Sequence, residues 1–196
     1  MKAVLRRREV VRELLEERGE LLVVAGLGSA AWDCTAAGDS DLTFPLWGAM
    51  GVASVTGLGL ALAQPGRRVL VITGDGEMLM GLGNLATIGV QKPRNLAVAV
   101  IDNERYGETG MQSTHTAQGV DLAAVAKACG FGDARVVWRK SGLKAAVRAL
   151  RASPGPVLVQ FKVVAEKLPL VLPPRDGSLL RSRFRRALHG SDADSE

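Results

Sequence analysis

Aromatic side chains are scarce in this chain of 196 residues, at 4% of the total, so aliphatic side chains must fill whatever core it builds. Cysteine is nearly absent. Cys34 and Cys129 lie far apart, and neither a disulfide framework nor a metal-binding spacing can be read from them. Both are expected to be reduced, buried thiols. There are two histidines, His115 and His189. Long apolar runs are missing too: the longest are short and glycine-rich, unsuited to a bilayer span. The stretch Met1 to Arg8 leads into alternating Arg and Glu rather than an apolar signal core. A soluble, cytoplasmic protein with no membrane partner is expected. No internal repeat and no domain linker is visible.

What is present suits a globular α/β protein: 47% apolar residues and a chain long enough to bury a core. The 23 glycines gather near strand ends and turns, where backbones approach ligands or each other. A net charge of +5 suggests nucleic acid at first sight. The basic residues concentrate at the two ends, however, and Asp192, Asp194 and Glu196 follow the arginine-rich tail. Acidic ligands or a partner chain account for the charge equally well, and no nucleic-acid partner is expected.

Hydrophobic patterning predicts a helix over Val4 to Glu17, a buried strand over Leu21 to Ala25 and a helix to Ala37 capped by Ser29. A polar loop, Gly38 to Trp47, precedes a small-residue helix from Val52 to Ala63. Strands follow at Val69 to Thr73 and Leu96 to Ile101, joined by a helix from Met78 to Val90. An irregular stretch runs to Gly119. Asp121 caps a helix to Cys129, Arg135 to Trp138 is a strand, Ser141 caps a helix to Arg151, and Val157 to Val163 is the last strand. The tail from Pro173 carries Arg181, Arg183, Arg185 and Arg186 around Phe184. Strands alternating with helices imply a mostly parallel sheet covered on both faces.

Two turns carry chemistry. Gly74-Asp75-Gly76 and Asp102-Asn103 each follow an apolar strand, with one helical segment between them. If the strands are neighbours, Asp75 and Asn103 converge on one sheet edge, in the crevice where open α/β sheets bind ligands. A carboxylate and an amide oxygen are hard ligands, suited to Mg²⁺ or Ca²⁺. The glycines beside Asp75 admit a phosphate, and a helix starting near Glu77 offers it free N–H groups. A diphosphate bridged to the protein by a divalent metal is the arrangement this suggests. A rival, a nicotinamide-binding fingerprint at Gly26-Leu27-Gly28, lacks the acid expected after a second strand.

Gly-Asp-Gly followed by Asn103, 28 positions after Asp75, resembles the thiamine-diphosphate signature. The stretches Gly74 to Met80 and Ile101 to Gly110, with Gly48-Ala49-Met50-Gly51, are similar to the diphosphate-binding domain of 2-oxo acid decarboxylases, above all those of sulfopyruvate and phosphonopyruvate. The resemblance implies a thiamine-diphosphate-binding fold over residues 1–172, with 173–196 as a basic extension. It implies Mg²⁺ held by Asp75, Asn103 and the carbonyl of Arg105. The cofactor would contact Gly74, Gly76, Glu77, Tyr106 and Gly107, bend over Met50, and present its amine to the Gly48 carbonyl. Thr109 and His115 would lie near substrate as catalytic candidates. The glutamate that activates the pyrimidine ring belongs, in this superfamily, to a separate pyrimidine-binding domain for which this chain has no room. The resemblance therefore implies an α subunit as partner, in an α2β2 assembly, and release of CO₂ and an aldehyde. An acetolactate-synthase-like carboligase subunit and a non-catalytic cofactor-binding relative are the alternatives. Asp39 and Asp41 stand where relatives acting on sulfonates or phosphonates would be expected to carry a basic residue, and Trp47 is larger than expected. These departures leave the substrate open.

Overall fold

The computed structural model describes residues 3–190; the acidic residues Asp192, Asp194 and Glu196 lie outside them. A six-stranded parallel sheet forms the centre, in the order β2-β1-β3-β4-β8-β7. Its strands are β1 (Leu22–Ala25), β2 (Thr43–Pro45), β3 (Val69–Gly74), β4 (Leu96–Asp102), β7 (Asp133–Val137) and β8 (Val157–Lys162). A two-stranded antiparallel hairpin, β5 (Arg105–Tyr106) with β6 (Gln112–Ser113), stands apart from it. The central strands β1, β3, β4 and β8 are Val-, Leu- and Ala-rich runs, because strands covered on both faces have no solvent side to alternate toward.

One face packs Val10, Val11 and Leu14 of α1 (Arg7–Leu15), Ala30 and Cys34 of α2 (Ser29–Ala36), and Leu143 and Leu150 of α7 (Lys140–Ala152) on Val23, Ile72, Ala99 and Val159. The other packs α3 (Ala53–Ala63), α5 (Asn84–Gln91) and α6 (Leu122–Ala128) through Leu58, Leu85, Ile88 and Leu122 on Val24, Val71, Val98 and Leu158. The strand side chains divide between the two clusters with the period of two that a pleated strand imposes. Among the described residues no helix is long and apolar enough to cross a membrane.

Several elements differ from the sequence expectation, each for an identifiable reason. The first helix starts only at Arg7. Ser29 is not a cap: Gly28, at φ 77°, is the N-cap of α2 and no side chain closes it. Nor does Ser141 cap α7, which begins at Lys140 after Arg139. Asp121 does cap α6, its side chain accepting from Ala124 N. The expected helix from Met78 to Val90 is two helices, α4 (Asp75–Met80) and α5. The break lies where Gly81 passes the Gly51 carbonyl; a Cβ on Gly81 would be 2.1 Å from that oxygen. The polar loop contains β2, and the irregular stretch contains the β5–β6 hairpin and a 3-10 turn, His115–Gln118.

The basic tail is helical: α8 (Gly177–His189), capped by Asp176, which accepts from Ser178 N and Leu179 N. It docks Leu180 and Phe184 beside β2, with the rings of Phe44 and Phe184 5.4 Å apart. Arg183 grips Asp39 with two bonds of 2.7 and 2.8 Å, and Arg183 Nη1 lies 3.7 Å from Asp41. Trp47 donates to the Pro174 carbonyl at 2.8 Å, under Arg175. The acidic loop and the large Trp47 thus serve to hold the tail. Their departure from the expected basic residue says nothing against an anionic substrate.

Candidate functional site

Chain connections diverge from β1 and β3: β1 leads to β2 on one side, and β3 leads to β4 on the other. Such a switch point opens a crevice beyond the strand ends. A cleft of about 350 Å³ lies there, lined by Leu27 and Ser29 after β1, Gly74 to Glu77 after β3, and Ile101 and Asn103 at the end of β4. The β3 and β4 strands are hydrogen-bonded neighbours with Gly74 opposite Ile101, so Asp75 and Asn103 enter the same cleft.

Of the residues singled out from sequence, Met50, Gly74, Asp75, Gly76, Glu77, Asn103, Arg105, Tyr106, Gly107 and Thr109 all line it. Gly48 and His115 do not. Gly48 is exposed with open space around it, and His115 is exposed between the buried Thr114 and Thr116. Thr109 sits on an exposed turn, its hydroxyl donating to Gln112 Oε1 at 2.8 Å.

Asp75 begins α4 and is 2% exposed. Thr114 Oγ1 donates to its Oδ2 at 2.5 Å, and Thr116 Oγ1 lies 3.2 Å from the same oxygen. Oδ1 has no side-chain donor among the described residues. Burial, and next the neighbouring Asp102 carboxylate, raise the Asp75 pKa to about 6 against these hydroxyls. A carboxylate in that position gains from a cation beside it. Asn103 Oδ1 accepts the Arg105 amide at 2.9 Å, which sets the turn and leaves a second lone pair.

Glu77 is committed elsewhere. Its Oε1 accepts from Ala53 N at 3.1 Å, at the first turn of α3, and Oε2 takes the Thr73 hydroxyl in a short bond. Burial raises its pKa against these bonds. Gly26 is glycine because a Cβ there would lie 1.9 Å from Glu77 Oε2. Gly76 is glycine for a reason the sequence did not suggest: the Tyr106 ring lies on it, 2.5 Å from where a Cβ would be.

Met50 lies between Ala49 at φ 60° and Gly51 at φ 90°. Asn84 Nδ2 donates to the Gly51 carbonyl at 2.7 Å, and Gly81 packs against it. The glycines that break the helix therefore fix where Met50 enters the cleft.

Three features of the site were not found from the sequence. Thr114, at the N-cap of the 3-10 turn, and Thr116, within it, reach Asp75. Asp102, read only as a strand end, is fully buried and bonded to Lys162 at 2.9 Å and Gln160 at 2.6 Å. Finally, an extended segment after β8 brings Glu166, Lys167, Leu168 and Leu170 to the cleft, held by Arg6 to Glu166 at 2.6 Å and Arg8 to the Pro169 carbonyl at 2.9 Å. At the other wall Arg7 and Arg8 both bind the buried Asp33, at 2.5 and 3.0 Å, so this part of the basic N-terminal region is structural.

Among the described residues there is no group of three His, Cys, Asp or Glu able to hold a metal. The cleft instead offers one carboxylate, one amide oxygen and main-chain carbonyls. That is a hard, weakly charged donor set, complete for Mg²⁺ only with phosphate oxygens from a bound ligand. Beside it the first turn of α4 presents N–H groups at a positive dipole end. The residues present thus fit a metal-bridged diphosphate.

Comparison with known proteins bears on the diphosphate cofactor. Residues 30–161 match the family described as thiamine pyrophosphate enzyme, C-terminal TPP binding domain. The chain is 40% identical over 127 residues to sulfopyruvate decarboxylase subunit beta of Methanocaldococcus jannaschii, covering 64% of this chain and 67% of that one. It is 40% identical over 152 residues to phosphonopyruvate decarboxylase of Streptomyces viridochromogenes, covering 78% of this chain but 38% of that one. Among solved structures, benzoylformate decarboxylase from Polynucleobacter necessarius superposes with a TM-score of 0.70 at 22% identity, over 85% of this chain and 34% of that one. The last likeness is one of fold.

Proposed function

The chain belongs to the thiamine pyrophosphate enzymes through their C-terminal TPP-binding domain, and from this we propose that it is the diphosphate- and Mg²⁺-binding subunit of a two-chain 2-oxo acid decarboxylase. The observation that carries the reading is the entry of Asp75 and Asn103, from neighbouring parallel strands, into one cleft at the switch point. The names of the relatives, sulfopyruvate and phosphonopyruvate decarboxylase, support a small anionic 2-oxo acid as substrate.

In this reading Asp75, Asn103 and the Arg105 carbonyl hold Mg²⁺. The amides of Gly76 and Glu77 receive the diphosphate, with Gly74, Tyr106 and Gly107 around it. Met50 would pack against the cofactor. When bound, thiamine diphosphate supplies the electron sink for loss of CO₂ from the substrate. This chain's residues orient the cofactor and keep water from it, and Glu77, with both oxygens taken, holds the start of α3 rather than moving a proton. Thr109 at the cleft rim is the candidate for substrate contact. His115 is exposed and does not line the cleft, so this reading gives it no part in the cleft of this chain. The glutamate for the pyrimidine ring would come from an α subunit, in an α2β2 assembly, a reading supported by the name subunit beta that a relative carries. Of the four carboxylates that line the cleft, Asp75 would hold the metal, Glu77 is held by Thr73 and Ala53, Glu166 by Arg6, and Glu108 lies against Gly28.

The test is reconstitution. With thiamine diphosphate and Mg²⁺ the purified chain should release no aldehyde or CO₂ from sulfopyruvate, and co-expression with a pyrimidine-domain chain should restore release. Turnover by the chain alone would overturn the two-chain reading. Asp75→Ala should abolish metal-dependent cofactor binding, seen by calorimetry, with an unchanged circular dichroism spectrum.

A further inference from the structure

Asp102 ends β4, immediately before Asn103, and is fully buried. A buried carboxylate is costly unless it is paired and its oxygens are satisfied. Here four donors do so. Lys162 Nζ at 2.9 Å and Gln160 Nε2 at 2.6 Å hold Oδ2; the Glu104 amide at 3.0 Å and Thr116 Oγ1 at 2.8 Å hold Oδ1. Lys162 is the residue opposite Asp102 in the β4–β8 register, and its ammonium also binds Glu104 Oε1 at 2.5 Å.

Two of these bonds lead to the arms of the cleft. The Glu104 amide lies in the turn between Asn103 and Arg105. Thr116 Oγ1 lies between Asp102 and Asp75, and 2.9 Å from Thr114 Oγ1, which donates to Asp75. The arm from β3, carrying Asp75, and the arm from β4, carrying Asn103 and Arg105, are therefore joined through one carboxylate. The β8 side chains that hold it, Gln160 and Lys162, lie on the strand face that is apolar one step earlier, at Leu158. Lys162 is buried and does not line the cleft, so it touches neither metal nor substrate.

We propose that the Asp102–Lys162 pair is the positioning device that sets Asp75 against Asn103 for a divalent cation. It rests on the cofactor reading above and adds residues to it. Electrostatics and positioning give opposite signs here. Removing the Lys162 charge makes the cleft more negative, which by Coulomb's law alone would tighten cation binding. If the pair positions the ligands, the same change weakens it.

The experiment is titration of Mn²⁺ into the full chain with thiamine diphosphate, followed by electron paramagnetic resonance, with thermal unfolding as the check on folding. Lys162→Met should raise the Mn²⁺ dissociation constant by about 10-fold or more, the usual effect of removing a residue that supports metal ligands. Asp102→Asn combined with Lys162→Met, which removes both charges and keeps an acceptor for Thr116, should recover most of that loss. Thr116→Val, which cuts the link to Asp75 and spares the ion pair, should weaken binding in the same direction, and decides the matter if Lys162→Met does not fold. Unchanged or tighter binding in a folded Lys162→Met or Thr116→Val protein overturns the proposal. No Mn²⁺ binding by the unsubstituted chain would overturn the cofactor reading itself, and the pair's role with it.

Discussion

Glycines in this chain repay attention one at a time, because their reasons differ. Gly26 makes room for Glu77, Gly76 for the ring of Tyr106, and Gly81 for the Gly51 carbonyl. The sequence shows that these positions are glycine; it does not show which partner needs the space, since each partner is distant along the chain. Gly76, which the motif suggests is kept open for a phosphate, is packed by an aromatic ring. Gly81→Ala is the sharpest test at this scale. Its Cβ would lie 2.1 Å from main chain that cannot swing aside. We expect a loss of about 1–3 kcal/mol in urea unfolding, together with weaker thiamine-diphosphate binding because Met50 moves with Gly51. An undisturbed cofactor affinity in a destabilised protein would separate Met50 from this contact.

Among elements, the long apolar runs were legible and the short ones were not. Strands β3 and β4 announce themselves as unbroken Val, Leu, Ile and Ala between polar turns, and from them follows the meeting of Asp75 and Asn103. The three-residue β2 has no such run, and the hairpin strands β5 and β6 are exposed or half-buried, with no apolar alternation to detect. Helix α8 was hidden by composition: its arginines read as a basic tail until Arg183 is seen on Asp39 and Phe184 on Phe44. That docking has a predictable acid response. The Arg183 guanidinium hydrogen-bonds Asp39 and holds its carboxyl below the ordinary range. A depressed acid contributes stability that is fully present above its unfolded value, about 3.9, and is lost as pH falls through the lower folded value. The protection of α8 amides, relative to their intrinsic exchange rates, should therefore fall below about pH 4, more than that of α3 on the same face. Arg183→Ala should exchange fast at neutral pH and lose that acid step. An α8 equally protected at both pH values would show that Leu180 and Phe184 suffice.

For the whole molecule, the fold class and the crevice were readable from sequence because alternating strands and helices admit few topologies. What the sequence left open was which surfaces stay bare. Helix α3 turns Val55, Gly59, Leu62 and Ala63 outward, and α5 turns out Ala86, Thr87 and Val90, with its N-cap Gly83 exposed beside them. These faces carry no charge, although 23% of the chain is charged. Under the two-chain reading this is a contact surface for the partner. Leu62→Glu should then leave the isolated chain within about 0.5 kcal/mol of its original stability and abolish co-elution with the α subunit on size exclusion. Normal co-elution would move the contact elsewhere.

The place of β8 in the sheet has a consequence for how the molecule is made. It is the last strand along the described chain, yet it sits between β4 and β7 rather than at an edge. During synthesis, β7 has no neighbour to pair with, and Asp102 no ammonium to face, until Val157 to Lys162 has been added. A nascent chain carries an open gap in the middle of its sheet until then. The strand that closes the gap also delivers Lys162, so the sheet and the Asp102 ion pair are completed by the same late event.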